Sequence, residues 1–125
     1  MDSIAAIATL AALAQHTRLE TFRLLVRHGP DGVAAGELAR MLAIPQNTMS
    51  AHLANLTRAG LVRGERASRS IIYRAELEQL RELTLFLLKD CCGGNSALCA
   101  PLIEELAACC SNSAASLQNV KGNCP

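Results

Sequence analysis

The chain has 125 residues, half of them hydrophobic, and a formal net charge of +1. That length fits one domain or one subunit of an oligomer. The near-neutral balance excludes a polyelectrolyte, and no apolar run approaches the roughly 20 residues needed to span a bilayer. The apolar content is mainly Ala and Leu, with Phe22, Tyr73 and Phe86 the only aromatics, a composition suited to packed helices. Met1-Asp2-Ser3 lacks the basic start of a secretory leader, so a cytoplasmic location is expected. There, cysteines point to metal or redox chemistry rather than to disulfides.

In chain order, residues 3–15 predict a helix, with Ser3 as cap and Ile4, Ile7, Ala8 and Ala11 at helical spacing beside Leu10 and Leu13. Thr17 is the expected cap of a second helix carrying Leu19, Phe22, Leu25 and Val26. His28-Gly29-Pro30-Asp31-Gly32 breaks it. A short helix over 35–42, with Leu38, Met41 and Leu42 inward, leads through Ala43-Ile44-Pro45 into a further helix over 46–59. Met49, Leu53 and Leu56 form its inward stripe, and Gly60 ends it. Leu61–Arg66 and Ile71–Arg74 predict a hairpin around Ala67-Ser68-Arg69-Ser70. Residues 76–90 return to helix, Pro101 opens a short one ending near Cys109-Cys110, and from Ser111 a mobile tail is expected.

Two short helices joined by a tight turn suggest helix-turn-helix, which places the start of its second helix against base edges in the major groove. Here that start offers Gln46, Asn47, Thr48, Ser50 and His52 outward. Gln and Asn can pair bidentately with adenine; the same residue types also serve simply as solvated caps. The hairpin favours the first use. Five arginines lie between residues 58 and 74 against the single Glu65, and Arg66, Arg69 and Ser70 sit where a β-ribbon tip can touch phosphates. His16 and His28 are expected as surface or turn residues, and Tyr73 as a packing residue.

All six cysteines follow residue 90. Cys91 and Cys92 are adjacent, Gly93-Gly94 follows, and Cys99 lies across a six-residue loop. On an intact helix the first two side chains diverge by about 100°; the glycines let the helix end relax so that both can meet one centre. Closing the short loop with Cys99 is inexpensive. Three soft thiolates suit As(III) or Sb(III), which bond covalently to three sulfurs, whereas zinc generally takes four ligands. Cys109, Cys110 and Cys124 are open to forming a second soft-metal site, to supplying an auxiliary ligand (Cys109 and Cys110) or to being spare thiols in a tail. No nucleophile elbow, phosphate-binding glycine loop or acid–base pair is present, so an enzyme is not expected.

Several segments together resemble the ArsR/SmtB family of metalloregulatory repressors. Gly36-Glu37-Leu38-Ala39 through Pro45–Leu53 looks like its helix-turn-helix signature, and Leu56-Thr57-Arg58-Ala59-Gly60-Leu61-Val62 like its run into the wing. Thr17-Arg18-Leu19 and Phe22-Arg23-Leu24-Leu25 are similar to its second helix. The likeness covers roughly residues 4–90. It implies a mainly α winged helix-turn-helix homodimer with a small β-hairpin, bound to operator DNA and released by metal. It also implies that the first helix and the helix at 76–90 make the dimer interface. A dimer is independently expected, because residues 83–88 are apolar at more positions than one inward stripe needs; a two-fold pair of reading helices demands an inverted repeat.

One version of the family places paired cysteines at the end of the helix at 76–90 with a third just beyond, which implies Cys91, Cys92 and Cys99 as the metal site. The Cys-Val-Cys site of another version is absent from Glu37–Leu42, and no histidine follows His52 to form the zinc-responsive site. The expectation is an As(III)/Sb(III)-released repressor, with residues 1–92 for DNA binding and dimerisation and 93–125 as a cysteine-containing extension. Sensing of Cd, Pb or Zn, selectivity for methylarsenite, and a thiol redox switch remain the alternatives.

Overall fold

Alanine-rich and leucine-rich stretches separated by Gly/Pro breaks give a chain of short helices with one small sheet. The computed structural model describes residues 1–89, 100–101 and 104–106. Its elements are α1 (Ser3–Leu13), α2 (His16–His28), a 3₁₀ turn (Gly29–Asp31), β1 (Val33–Ala34), α3 (Ala35–Met41), α4 (Gln46–Arg58), β2 (Val62–Ala67), β3 (Ser70–Ala75) and α5 (Leu77–Leu88). Residues 100–101 and 104–106 are also helical. Residues Met1–Phe86 form one compact unit. Among the described residues no helix is long and apolar enough to cross a membrane.

Both leading helices are capped one or two residues earlier than the sequence suggests. Asp2, not Ser3, caps α1: its Oδ1 accepts from the Ala5 N–H at 2.8 Å. Gln15, not Thr17, caps α2, accepting from the Arg18 N–H at 2.8 Å. A cap residue needs extended backbone, which Asp2 and Gln15 have, while Ser3 and Thr17 are already helical. Arg18 then donates from Nε to the Ala12 carbonyl at 2.6 Å, closing the corner between the two helices.

The core gathers Phe22 and Leu25 from α2, Leu38 from α3, Met49, Leu53 and Leu56 from α4, and Leu61 and Val62 from the start of the wing. The Met49–Leu53–Leu56 stripe is fully buried, as its spacing predicts. Truncating such a side chain removes transfer energy and leaves a cavity. Leu53→Ala is therefore expected to lower unfolding free energy by about 2–5 kcal/mol in urea denaturation. Met41 departs from expectation: α3 ends there, the chain turns away, and its side chain is 45 % exposed rather than inward. Leu42 is half-buried.

The hairpin pairs Val62 with Ala75 through Ala67 with Ser70, leaving Ser68-Arg69 as its tip. A third strand, unforeseen from sequence, flanks it: Val33 and Ala34 pair with Tyr73 and Ile72, giving the order β1-β3-β2. This pair fastens the wing to the entry of the helix-turn-helix. Tyr73 packs its ring over Gly64, where an added Cβ would lie 2.8 Å from the ring, in keeping with a packing role.

Candidate nucleic-acid interface

The turn between α3 and α4 fixes how α4 enters. Backbone bonds from Leu42 to Leu38 (3.0 Å), Ala43 to Arg40 (3.2 Å) and Ile44 to Ala39 (3.0 Å) tighten it. Ala43 takes a left-handed φ of 56°. Pro45 occupies the cap position of α4 and supplies no side-chain acceptor. Its fixed φ suits a helix entrance. Asn47 Oδ1 accepts from the Thr48 N–H at 2.9 Å.

Burial of Met49, Leu53 and Leu56 turns the opposite face of α4 outward. Gln46, Asn47, Thr48 and Ser50 are exposed. His52 is half-buried rather than fully outward, because it lies one helical turn from Met49 at the edge of the buried stripe. Gln46 lies back across the start of α3: its Nε2 would be 3.4 Å from a Cβ on Gly36.

Arg66, Arg69 and Ser70 are exposed at and beside the wing tip. The five arginines of this stretch divide into two groups. Arg74 donates to Glu65 Oε1 at 2.8 Å and to the Pro30 carbonyl at 2.7 Å, and Arg63 faces Glu76 at 3.5 Å. Those two hold the wing base. Arg58, Arg66 and Arg69 pair with no carboxylate among the described residues. Sequence counting registers five equivalent cations; the ion pairs separate Arg63 and Arg74 from the other three.

Cys91, Cys92, Cys99, Cys109, Cys110 and Cys124 lie outside the described residues. Among the described residues no cluster of three or more His, Cys, Asp or Glu could hold a metal ion.

Residues 13–65 match a helix-turn-helix domain family. An ArsR-like transcriptional regulator from Rhodococcus sp. RHA1 is 28% identical, covering 78% of this chain and 89% of that one, with a TM-score of 0.64. HlyU from Vibrio cholerae, a transcriptional activator, is 30% identical in its solved structure, which covers 67% of this chain and 89% of that one at a TM-score of 0.56. A structure of reduced HlyU has the same TM-score of 0.56, at 29% identity over 70% of this chain and 90% of that one. The antimony-specific transcriptional repressor AntR is 29% identical, covering 65% and 72% of the two chains, with a TM-score of 0.53. These relatives are regulators of transcription, not enzymes. With an outward polar helix start, a basic wing and HlyU matched along most of its length, the chain belongs to the ArsR family of winged helix-turn-helix transcriptional regulators.

Proposed function

We propose that this chain is a metalloid-responsive repressor. It grips inverted-repeat operator DNA as a homodimer and lets go when As(III) or Sb(III) binds Cys91, Cys92 and Cys99. Residues 1–92 read DNA and dimerise in this reading, and 93–125 carry the remaining cysteines, with Cys109 and Cys110 as auxiliary ligands. A cytoplasmic setting, which keeps thiols reduced, belongs to the proposal. The observation that carries the DNA half is the outward polar start of α4 in a fold whose wing tip bears exposed arginines without carboxylate partners among the described residues. Gln46, Asn47, Thr48, Ser50 and His52 then meet base edges and phosphates, while Arg66, Arg69 and Ser70 meet the backbone.

Exposed apolar surface supports the dimer. α1 buries Ala6, Thr9 and Ala12, so Ile4 and Ile7 are left 80% and 65% exposed, with Leu10 also outward. On α5, Leu77 and Leu85 are more than half exposed. Such side chains call for a covering surface, and a two-fold partner supplies the same faces in return.

The metalloid half rests on the three closely spaced thiols and on the likeness to an antimony-specific repressor. The likeness to HlyU, whose reduced form has been solved, favours one second reading: the same cysteines acting as a reversible redox switch. Fluorescence anisotropy on a duplex selected by the protein from a random pool tests both. Release by arsenite under reducing conditions supports the metalloid sensor. Release by peroxide alone supports the redox switch.

Phosphate contacts release counterions, so log K falls with log salt roughly in proportion to their number. Arg66→Ala and Arg69→Ala are each expected to reduce that slope by about 1. Arg74→Ala, already committed to Glu65 and Pro30, should instead lower stability and leave the slope nearly unchanged.

A further inference from the structure

One side-chain amide joins three helices. Gln79, in the first turn of α5, donates from Nε2 to Thr9 Oγ1 in α1 at 3.2 Å and to the Ala59 carbonyl at the C-terminal cap of α4 at 3.1 Å. The polarity of this joint is forced. Thr9 directs its own hydroxyl proton to the Ala5 carbonyl at 2.8 Å, so toward Gln79 it can only accept. The Ala59 carbonyl can only accept. One NH₂ group therefore serves two acceptors, and a flipped amide would set Oε1 against the Ala59 carbonyl and cost Thr9 its bond to Ala5.

The acceptors are not idle groups. Thr9 is 1% exposed, and a buried hydroxyl requires partners from the protein. The Ala59 carbonyl is among those that an α-helix cannot satisfy internally at its C-terminus. Gly60 admits the amide: it sits at φ +79°, and a Cβ there would be 3.3 Å from Gln79 Cδ. A backbone bond from Glu76 N–H to the Leu61 carbonyl at 2.8 Å lies beside it. The trailing end of the reading helix is thus hung from the first turn of α5.

We infer that Gln79 is a positioning residue for DNA reading, transmitting the pose of α1 and α5 to α4. α4 has 13 residues, so its reading end stands nearly 20 Å from this anchor at about 1.5 Å per residue. A rotation of about 5° at the anchor displaces that end by about 1.7 Å, beyond the tolerance of a hydrogen bond to a base edge. α1 and α5 carry the uncovered apolar faces assigned above to the dimer seam, so a shift of the seam reaches the reading helix through this amide. The role at the seam rests on the proposed repressor reading; the joint itself rests on the hydrogen bonds.

The test compares two duplexes, one selected by the wild-type protein from a random pool and a scrambled version of it. Gln79→Leu keeps the bulk but removes both N–H bonds, and Gln79→Glu sets a carboxylate against the Ala59 carbonyl. Each is expected to weaken binding to the selected duplex about tenfold, with less than about a twofold change on the scrambled one. Thr9→Val, near-isosteric, should produce part of the loss, and Thr9→Ser should restore wild-type behaviour. The Thr9→Val/Gln79→Leu pair should be no worse than Gln79→Leu alone, since partners in one contact are not additive. Equal loss on both duplexes, no loss, or simple additivity would overturn the inference. If Gln79→Leu does not fold, Thr9→Val is judged by the same ratio.

Arsenite adds a second readout. The wild-type ratio of affinities without and with arsenite should fall toward one in Gln79→Leu. An unchanged ratio would overturn transmission through Gln79. If arsenite fails to release the wild-type protein, the metalloid reading fails by itself, and the selected-to-scrambled ratio still decides the role of Gln79.

Discussion

With Cys91, Cys92 and Cys99 all replaced by serine, the protein should hold its operator as tightly in arsenite as without it. The reasoning is chemical. A thiolate is a soft donor matched to a thiophilic metalloid, and a serine hydroxyl is a hard, protonated oxygen that is not. Coupling between an effector and a second ligand generally amounts to about 1–3 kcal/mol, or 5- to 150-fold in affinity. Removing the effector site should collapse that factor to one without touching α4 or the wing, because these positions follow the last residue of the winged unit. Single Cys→Ser variants should each weaken the response, and anisotropy titrations at a series of arsenite concentrations measure it. A normal response in Cys99→Ser together with a lost response in Cys109→Ser would reassign the third sulfur to the auxiliary pair. A response that needs only two cysteines would point to methylarsenite, which offers two positions to sulfur.

Gly32→Ala should be among the most damaging single substitutions in the winged unit. Gly32 adopts φ +72°, where an L side chain is strained, and a Cβ would lie 2.7 Å from both the Tyr73 carbonyl oxygen and Ile72 Cγ2. The obstructing carbonyl belongs to β3, the central strand, so relief requires pulling β1 off the sheet. Backbone strain of about 1–3 kcal/mol adds to overpacking of similar size, giving a loss of roughly 2–6 kcal/mol. Gly29 is the internal control. It has φ +66° but nothing within 4 Å of an added Cβ, so Gly29→Ala should show the strain alone. Urea midpoints of the two variants measure the difference. Equal losses would mean that the contact with β3 yields easily and that β1 contributes little to the anchoring of the wing.

What could be read in advance follows from the range of the interactions involved. The helix-turn-helix and the hairpin announce themselves because their signals are local: Met49, Leu53 and Leu56 at helical spacing, Pro45 before them, Gly60 after them, and two β-rich runs around a polar tip. Asp2 and Ser3 are equally good capping types, so only backbone geometry chooses between them; Gln15, a poorer type than Thr17, caps α2 because it has the extended backbone a cap needs and Thr17 is already helical. β1 has two residues, too few for any periodicity, and exists through its partners Tyr73 and Ile72, some 40 positions away. The Gln79 joint spans 70 positions to Thr9 and 20 to Ala59. Nothing in the neighbourhood of a glutamine distinguishes it from a solvated one. The outward face of α4 was legible apart from His52, whose place at the margin of the stripe depends on how deeply α4 sits. The cysteine cluster is legible as chemistry, since the spacing of thiols restricts the ions they suit, but it lies outside the described residues.

Arsenic X-ray absorption on the wild-type protein, loaded with one equivalent of arsenite per protomer while bound to its selected duplex, tests the central claim most directly. The account predicts three sulfur neighbours around each arsenic, no oxygen in the shell, and loss of the duplex as that shell fills. A shell of fewer sulfurs, or a complete three-sulfur shell on protein that still holds its DNA, would contradict it.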